Sequence, residues 1–315
     1  MRVLARRAAR AWTSERGEVD EQDVGFEAFV EARVGRAAYQ AFYRPYAEKV
    51  WGDHPARLSQ TLAKKRVSTS NPLRLFRGGR RFAYPLGGMT SMIRWLTDRL
   101  EQSGVTILTG TTIDPREHDG PVLFSGHLTD ITQTELSHRG LYLLFLVFPT
   151  HRLSRSDTFY VPERRFWFGR VSEIKNFDPD RVPPGQTILC VEIPQGEWPR
   201  DRDFTGPLLH DVLTQLRSCG IVEPGLEPVA VEQRWMPRVY PFYARGWIRA
   251  WREAIDQLQR HPSIFPFGRQ GLFLHCNLDH CVTMAEDLVG HLLQGRDQRS
   301  WLQRADRSRR YRVRD

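Results

Sequence analysis

The chain has 315 residues, of which 40% are hydrophobic, and it carries a formal net charge of +9. This apolar content can build one large core or two interleaved ones, and it excludes disorder of the whole chain. Arginine supplies nearly all of the positive charge, because the only lysines are Lys49, Lys64, Lys65 and Lys175. Arginine pairs well with phosphate and carboxylate groups, so an anionic ligand or surface partner remains open.

The excess of arginine is concentrated at the two ends of the chain. We expect a basic N-terminal segment at 1–25 and a basic C-terminal tail at 294–315, both solvated and frayed. Acidic membrane lipid, nucleic acid or an acidic protein would be alternative partners for them. No nucleic-acid-binding motif accompanies the charge, so nucleic acid is not expected as a partner.

Cysteine usage and hydropathy indicate a cytoplasmic protein. The chain has four scattered cysteines and no segment that resembles a secretion signal. The longest apolar run, Leu141–Phe148, is too short to cross a bilayer and predicts a buried strand.

The first part of the chain predicts helices. Between Phe26 and about Lys65 the apolar residues recur at helical spacing, which favours two or three helices over 26–80. A loop is expected at Ser68–Arg81. Next come a strand at Phe82–Pro85, a glycine turn, a helix at Met89–Gln102 and a strand at Val105–Leu108, the order that lays a helix over a parallel sheet.

The middle of the chain predicts a mostly antiparallel sheet. Short apolar runs separated by proline-rich turns indicate strands. We expect them at Val122–Phe124, Leu141–Phe148, Thr158–Val161, Phe166–Val171 and Thr187–Ile193, followed by a helix at Leu208–Cys219 and a strand near Val229–Gln233.

The last third predicts a strand and a helix. Gly271–His275 is expected to be a buried strand, and a helix is expected from about Cys281 to Leu293, with Asp279 as its N-terminal cap. The run from His275 to Cys281 contains four metal-ligand types. Because no second Cys/His cluster accompanies it, no metal site is predicted.

Four stretches carry a family resemblance, in the family's own order. They are FYRPYAEKVWG at 42–52 with Leu58-Ser59, YPLGGM at 84–89, FWFGRVSEIKNF at 166–177, and GRQGLF at 268–273 with the run Asn277 to His280. Together they resemble the FAD-dependent amine-oxidase superfamily, which includes protoporphyrinogen oxidase, phytoene desaturase, monoamine oxidase and UDP-galactopyranose mutase. The resemblance is greatest to the bacterial protoporphyrinogen-oxidase-like branch.

The resemblance implies a mixed α/β (α+β) fold with FAD as the cofactor. It implies an incomplete FAD-binding Rossmann-like sheet from 81–115 and 260–293, and an antiparallel-sheet substrate domain with helices at 116–259. The flavin would be bordered by Gly87, Gly88, Met89, Gly268, Arg269, Gln270, Gly271, Asn277, Asp279 and His280. The substrate would contact Arg170, Tyr84 and Phe168, while no catalytic residue is assigned.

One feature of that superfamily is absent. Its G-x-G-x-x-G motif, which brings a helix N-terminus to the pyrophosphate of FAD, occurs nowhere in the chain. Arg77-Gly78-Gly79-Arg80 has neither the spacing nor a preceding buried strand. FAD binding by this chain alone is therefore in question.

Two functions remain open. The first is an FAD-dependent oxidoreductase or flavin-dependent isomerase for a small organic substrate, which is either truncated in this sequence or needs a partner protein to supply the dinucleotide-binding segment. The second is a cofactor-free binding or scaffold protein descended from the same fold. A flavin enzyme needs few acid-base residues from the protein, so the lack of a catalytic triad does not decide between them.

Overall fold

The computed structural model describes residues 23–66, 84–196 and 202–308. Within them the chain builds two hydrophobic cores, one among the helices and one on an antiparallel sheet. The predicted loop at Ser68–Arg81 lies outside the described residues, as do residues 1–22 and 309–315 of the two terminal segments. No helix of the described ranges combines the length and the hydropathy needed to cross a membrane.

Short helices pack together before the sheet, as predicted. They are α1 (Phe26–Val34), α2 (Arg36–Ala38), a π-helical turn (Tyr39–Tyr43), α3 (Arg44–Trp51) and α4 (Gln60–Arg66). Gly52 ends α3 with φ 60°, a left-handed conformation that glycine adopts without strain. Val30, Tyr39 and Trp51 bury their side chains in the first core.

The antiparallel sheet has five strands: β2 (His138–Phe148), β3 (Thr158–Tyr160), β4 (Arg170–Glu173), β5 (Thr187–Pro194) and β6 (Ala230–Pro241). Their order across the sheet is β3-β4-β5-β2-β6. The long central strand at Leu141–Phe148 is confirmed. The strand predicted from Phe166 begins only at Arg170, since Val161 and Gly169 close a turn with one backbone hydrogen bond.

One helix covers this sheet. The helix α6 (Leu209–Ser218) confirms the prediction at 208–219 and buries Val212 and Leu216 against the second core. Alternate side chains of β2 face that core, among them Leu144 and Leu146. Successive side chains of a strand point to opposite faces of the sheet, so every second residue of β2 lies on the buried face.

A separate pair of parallel strands lies outside the large sheet. The strand β1 (Val122–Phe124) pairs in register with β7 (Ile264–Pro266). The prediction that Val122–Phe124 belongs to the antiparallel group was therefore wrong in its pairing. The partner strand lies more than a hundred residues further along the chain. No local sequence pattern could predict this pairing.

The helix α5 (Gly88–Gln102) is confirmed, but the strands predicted on either side of it are not. Tyr84 and Pro85 are not in a strand, and neither is Val105–Leu108. A parallel strand needs a neighbouring strand to accept its backbone hydrogen bonds, and no described strand pairs with either segment.

The turn after β7 also differs from the prediction. Gly268–Gly271 forms the short helix α8, and Leu272 to Cys276 is buried but irregular, so the strand expected at Gly271–His275 is absent. The next helix, α9 (Leu278–Leu293), has Asn277 as its N-cap instead of Asp279. Asn277 is preferred because its backbone is extended while its side chain reaches the N–H of the third helical residue.

Residues 298–308 are helical and packed, contrary to the expectation of a frayed tail from 294 onward. Helix α7 (Trp247–Leu258) and helix α10 (Gln298–Ser308) both join the first core. Trp301 donates its indole N–H to the carbonyl of Pro266 at 2.8 Å. The Gln298 amide donates to the carbonyls of Leu258 and Ile264, which gives a partner to one buried acceptor at the end of α7 and to one in β7.

Candidate functional site

A cavity of about 630 Å³ lies between α3, the antiparallel sheet and the turn after β7. We call it the arginine cavity, because Arg170 and Arg269 both line it. Its other walls are largely aromatic: Phe26, Phe42, Tyr43, Tyr46, Trp51, Tyr160 and Tyr240. Aromatic walls with a few placed polar groups are typical of ligand pockets.

The helical wall presents a pair of aromatic rings. Phe42 and Tyr46 are four residues apart, which places them on one helix face. Their rings stack with centroids 5.6 Å apart and planes 13° apart. Tyr160 of β3 meets Tyr46 edge-on at 6.1 Å, so this wall closes against the sheet.

A second aromatic group centres on Tyr240 near the end of β6. The Tyr240 ring stacks on His275 at 5.6 Å with planes 24° apart. Trp51 at the end of α3 meets Tyr240 at 6.1 Å and His275 at 6.3 Å, both edge-on. Three distant parts of the chain therefore form one continuous surface of the cavity.

Arg170 enters the cavity from β4 and is held by Glu192 of β5. Its Nε and Nη2 donate to the same Glu192 oxygen at 2.8 and 2.5 Å. Burial acts to lower the pKa of Arg170, but the charge of Glu192 and its hydrogen bonds outweigh burial and raise it. The arginine is thus permanently cationic and fixed in position.

Arg269 enters the cavity from α8. Its Nε donates to the Cys276 carbonyl at 2.9 Å, and Nη2 donates to the same oxygen. The guanidinium carbon lies 5.8 Å from the centroid of the Tyr240 ring, within the range of a cation–π contact. The carbonyl and the ring orient Arg269 without neutralising its charge.

The N-terminus of α9 borders the cavity through Asn277. The Asn277 side chain accepts from the backbone N–H of His280, and the backbone N–H of Asn277 donates to His280 Nδ1 at 3.1 Å. This capping box satisfies two of the helix's otherwise open donors. His280 is therefore used as a cap, and Asp279 faces solvent with 78% of its side chain exposed.

The glycine bend at 84–89 does not join this cavity, although the sequence placed it at the flavin ring. Tyr84 packs against Phe177 with ring centroids 5.7 Å apart, and the Gly87 N–H donates to Asp178 at 3.0 Å. Arg181 donates to the Gly87 carbonyl and lies beside Gly88. Met89 is 40% exposed.

Other predicted site residues serve the packing. Phe168 is completely buried in the second core and lines neither described cavity. A Cβ on Gly271 would lie 2.5 Å from the Phe124 carbonyl oxygen, so this glycine lets α8 approach β1. Gly268 has φ 76°, and Gln270 donates to the Arg238 carbonyl at 3.0 Å.

A second cavity of about 570 Å³ lies on the other side of α3 and is lined in part by Phe166 and Trp167. Lys49 there donates to the carbonyls of Val161 and Phe168 at 2.7 and 2.9 Å, which ties α3 to the sheet. Burial lowers the pKa of Lys49 to about 8. These bonds make Lys49 a structural link.

The described residues hold no group of three or more His, Cys, Asp or Glu side chains arranged to bind a metal ion. Within the run from His275 to Cys281, His280 caps α9 and His275 stacks on Tyr240. The two thiols of the run, Cys276 and Cys281, lie 3.8 Å apart.

The sequence predicted Arg170, Arg269 and Asn277 as ligand-binding residues, and all three line this cavity, but it did not predict the aromatic walls. The spacing of Phe42 and Tyr46 was a usable signal, because residues four apart share a helix face. Tyr240 and His275 gave no such signal. They meet only because β6 and the turn before α9 are brought together by the fold.

Comparison with known proteins identifies the class. A solved structure described as reduced UDP-galactopyranose mutase superposes with a TM-score of 0.68 and 16% identity, covering 98% of this chain and 74% of that one. A structure described as a protoporphyrinogen oxidase from Exiguobacterium sp. 255-15 gives 0.61 and 16%, covering 94% and 73%. The fold is that of the FAD-dependent amine-oxidase-like superfamily.

The family follows from the sequence match. The profile of the family described as UDP-galactopyranose mutase matches residues 41–204. The chain belongs to this family. No curated protein sequence matches the chain.

The residues of the chain fit one end of the FAD that this superfamily implies. The arginine cavity is large enough, aromatic enough and cationic enough for a planar ring with a phosphate-bearing tail. The sequence has no G-x-G-x-x-G turn to hold the ADP half. The fit is therefore to the flavin end of FAD alone.

Proposed function

We propose that this chain forms the substrate-binding and flavin-facing part of a UDP-galactopyranose-mutase-like flavoprotein, acting on an anionic nucleotide sugar. The arginine cavity carries this proposal. It places two fixed guanidinium groups among stacked aromatic rings, and these are the groups that bind phosphate and flat rings respectively. UDP-galactopyranose is the substrate named by the family, and it has both chemical features.

Each residue of the cavity would have a defined task. Arg170 and Arg269 bind the anionic groups of the substrate or cofactor, and Glu192 keeps Arg170 aimed at them. The rings of Tyr46 and Tyr240 exclude water and stack on flat parts of the ligand. A bound flavin would supply the bond-making or electron-transfer chemistry, and the protein would orient the substrate for it.

The ADP half of FAD would be held by another polypeptide. The support is an uncovered apolar face on the described part of the chain, which we call the α5 face: Ile93, Leu96 and Leu100 of α5 with Ile107 and Leu108 after it are each at least 38% exposed. Contiguous exposed apolar residues on a monomer indicate an interaction site.

The strand pair β1 and β7 supports the same partner. Parallel sheets are normally larger than two strands and covered on both faces. Among the described strands, β1 pairs only with β7. A strand–glycine turn–helix unit from a partner would extend this sheet and supply the turn that binds the pyrophosphate of FAD. We propose a cytoplasmic location, which the four free thiols Cys190, Cys219, Cys276 and Cys281 support.

Binding of nucleotide sugars tests the cavity. Titration calorimetry would compare UDP-galactose, UDP and galactose on the purified chain. Arg269→Ala should weaken UDP-galactose binding about tenfold or more, because a charge-assisted hydrogen bond to phosphate is lost, and Arg269→Lys should weaken it less. Arg234→Ala, which removes an exposed arginine paired to Glu232, is the control. Equal affinities for all variants would contradict the proposal.

Absorption spectroscopy tests the cofactor and the partner separately. The isolated chain mixed with FAD should show little bound flavin, whereas co-expression with a G-x-G-x-x-G polypeptide of the same genome neighbourhood should give a yellow complex. Tight FAD binding by the chain alone would remove the need for a partner. A colourless complex that still binds UDP-galactose would favour a cofactor-free binding protein.

A further inference from the structure

Two cysteines meet at the first turn of α9. Asn277 is the N-cap of this helix, Cys276 precedes the cap, and Cys281 is the fourth helical residue. Their sulfur atoms are 3.8 Å apart and share a hydrogen bond. These two positions commonly pack against each other as a hydrophobic pair across a capped helix start, so the local backbone already brings the side chains together.

The two thiols differ in their access to solvent. Cys276 is completely buried, while Cys281 is half-buried on the first turn of the helix. A reagent from solvent can therefore reach Cys281 first, and Cys276 only through Cys281. In such a pair the accessible thiol attacks a disulfide reagent first. The shielded thiol then attacks the resulting mixed disulfide from inside the protein.

The charges around Cys281 favour its thiolate. The Cys276 thiol donates to it, and the Arg269 backbone N–H and guanidinium charge act in the same sense, against burial and the nearby Asp279. The net result lowers the pKa of Cys281 to about 6. The N-terminal end of a helix dipole adds to this effect.

The other two cysteines provide a contrast inside the same molecule. Burial raises the pKa of Cys190 to about 12, with Glu192 adding to the effect. Burial also raises the pKa of Cys219, which lies at the end of α6. Neither has a thiolate to offer near neutral pH, so a disulfide reagent should distinguish the pair from these two.

We propose that Cys276 and Cys281 form a redox-active dithiol that reduces small-molecule disulfides and is itself converted to an intramolecular disulfide. The Cys281 thiolate attacks one sulfur of the reagent, the reagent's S–S bond breaks, and one thiolate leaves. Cys276 then gives its proton to solvent and attacks the Cys281 sulfur, releasing the second thiolate. Two electrons pass from the protein to the reagent, and two protons are released.

Closing the bond requires little movement. The sulfur atoms must approach from 3.8 Å to the bonded distance of about 2.0 Å. His275 and Asn277, the chain neighbours of Cys276, both line the arginine cavity. The bond would therefore lock one wall of that cavity to α9. The reaction needs no flavin and no partner, so it stands apart from the proposed function.

The test uses the full reduced chain and 5,5′-dithiobis(2-nitrobenzoate) at neutral pH. Wild-type protein should release two equivalents of coloured thiolate and keep no reagent bound. After digestion at arginine and lysine, residues 270–296 form one peptide that contains Cys276 and Cys281 but neither Cys190 nor Cys219. Its mass should fall by two hydrogen atoms and return on reduction.

Two variants separate the roles. Cys276→Ser should stop at the mixed disulfide, with one reagent group retained on Cys281. Cys281→Ser should react at least about tenfold more slowly, because the accessible thiolate is gone, and Cys190→Ser should behave as wild type. A wild-type peptide 270–296 that keeps the reagent, or shows no mass loss, would overturn the proposal even if a variant failed to fold.

Discussion

Arg170 and Glu192 face each other in register on the neighbouring strands β4 and β5, and one oxygen of Glu192 accepts two hydrogen bonds from the Arg170 guanidinium. The pair lies at the wall of the arginine cavity. Glu192 thereby fixes the position of the Arg170 guanidinium before a ligand binds. A ligand phosphate does not have to order this side chain itself. Because Arg170 and Glu192 pair across β4 and β5, the same ion pair contributes to the stability of the sheet and to the charge of the cavity.

Glu192→Gln should lower the free energy of unfolding by about 1–2 kcal/mol, a value reduced from that of a fully buried pair because Arg170 is 37% exposed. The substitution keeps the shape of the side chain and leaves Arg170 without its counter-charge. Glu232→Gln breaks the fully surface pair with Arg234 and should cost no more than about 0.5 kcal/mol. Urea denaturation measures both, and equal losses would contradict the role of Glu192.

Gly271→Ala should destabilise the protein by about 2 kcal/mol or more, because the new methyl would meet backbone and not a movable side chain. The ideal Cβ position is 2.5 Å from the Phe124 oxygen. Gly290→Ala in α9 is the matched control, since nothing lies within 4 Å of its Cβ position. The control should gain about 0.5–1 kcal/mol from helix propensity. Thermal unfolding that gave the opposite order would refute the close approach of α8 to β1.

His138 should make the protein sensitive to mild acid. Burial lowers its pKa from an ordinary 6.5 to about 4, and the charges of His127 and Arg238 act in the same direction against Asp130. Between these two values the unfolded chain binds the proton and the folded chain does not, so stability falls as the pH is lowered through this window.

The measurement is the free energy of unfolding from pH 7 to pH 4 for wild type and His138→Gln. Wild type should lose more stability than the variant over this range, by at most about 1.4 kcal/mol per pH unit and by less in practice because the group is only part-buried. His210→Gln, at an exposed helix position, should keep the wild-type slope. Parallel curves for wild type and His138→Gln would show that burial does not shift this histidine.

The α5 face should cause the isolated chain to self-associate. Ile93 is 58% exposed and Leu96 is 46% exposed on the same helix. Ile93→Glu should reduce the apparent mass in light scattering while leaving the unfolding transition unchanged, because the side chain packs against little. Gln102→Glu adds the same charge at the end of that helix and should not change association. A monomeric wild type would argue that the face needs no cover.

Local sequence patterns predicted two kinds of element. One is a strand that is apolar along its whole length, and the other is a helix with start and stop signals next to it in the sequence. The apolar run at Leu141–Phe148 has the length of a buried strand, and the helix at 88–102 has a glycine turn before it and Gly104 after it. The capping residue was misjudged between Asn277 and Asp279, because both residue types cap well and backbone geometry selects between them.

The sequence by itself determined the mixed α/β class and the superfamily, because residue types and their order carry this information. It also predicted Arg170, Arg269 and Asn277 as ligand-binding residues, and all three line the arginine cavity. The tertiary structure decided that Val122–Phe124 pairs with Ile264–Pro266 and that the glycine bend lies away from the cavity. It also decided that Tyr240 meets His275. These are contacts between distant segments, whose geometry depends on the packing of the whole chain and leaves no periodic trace in either segment alone.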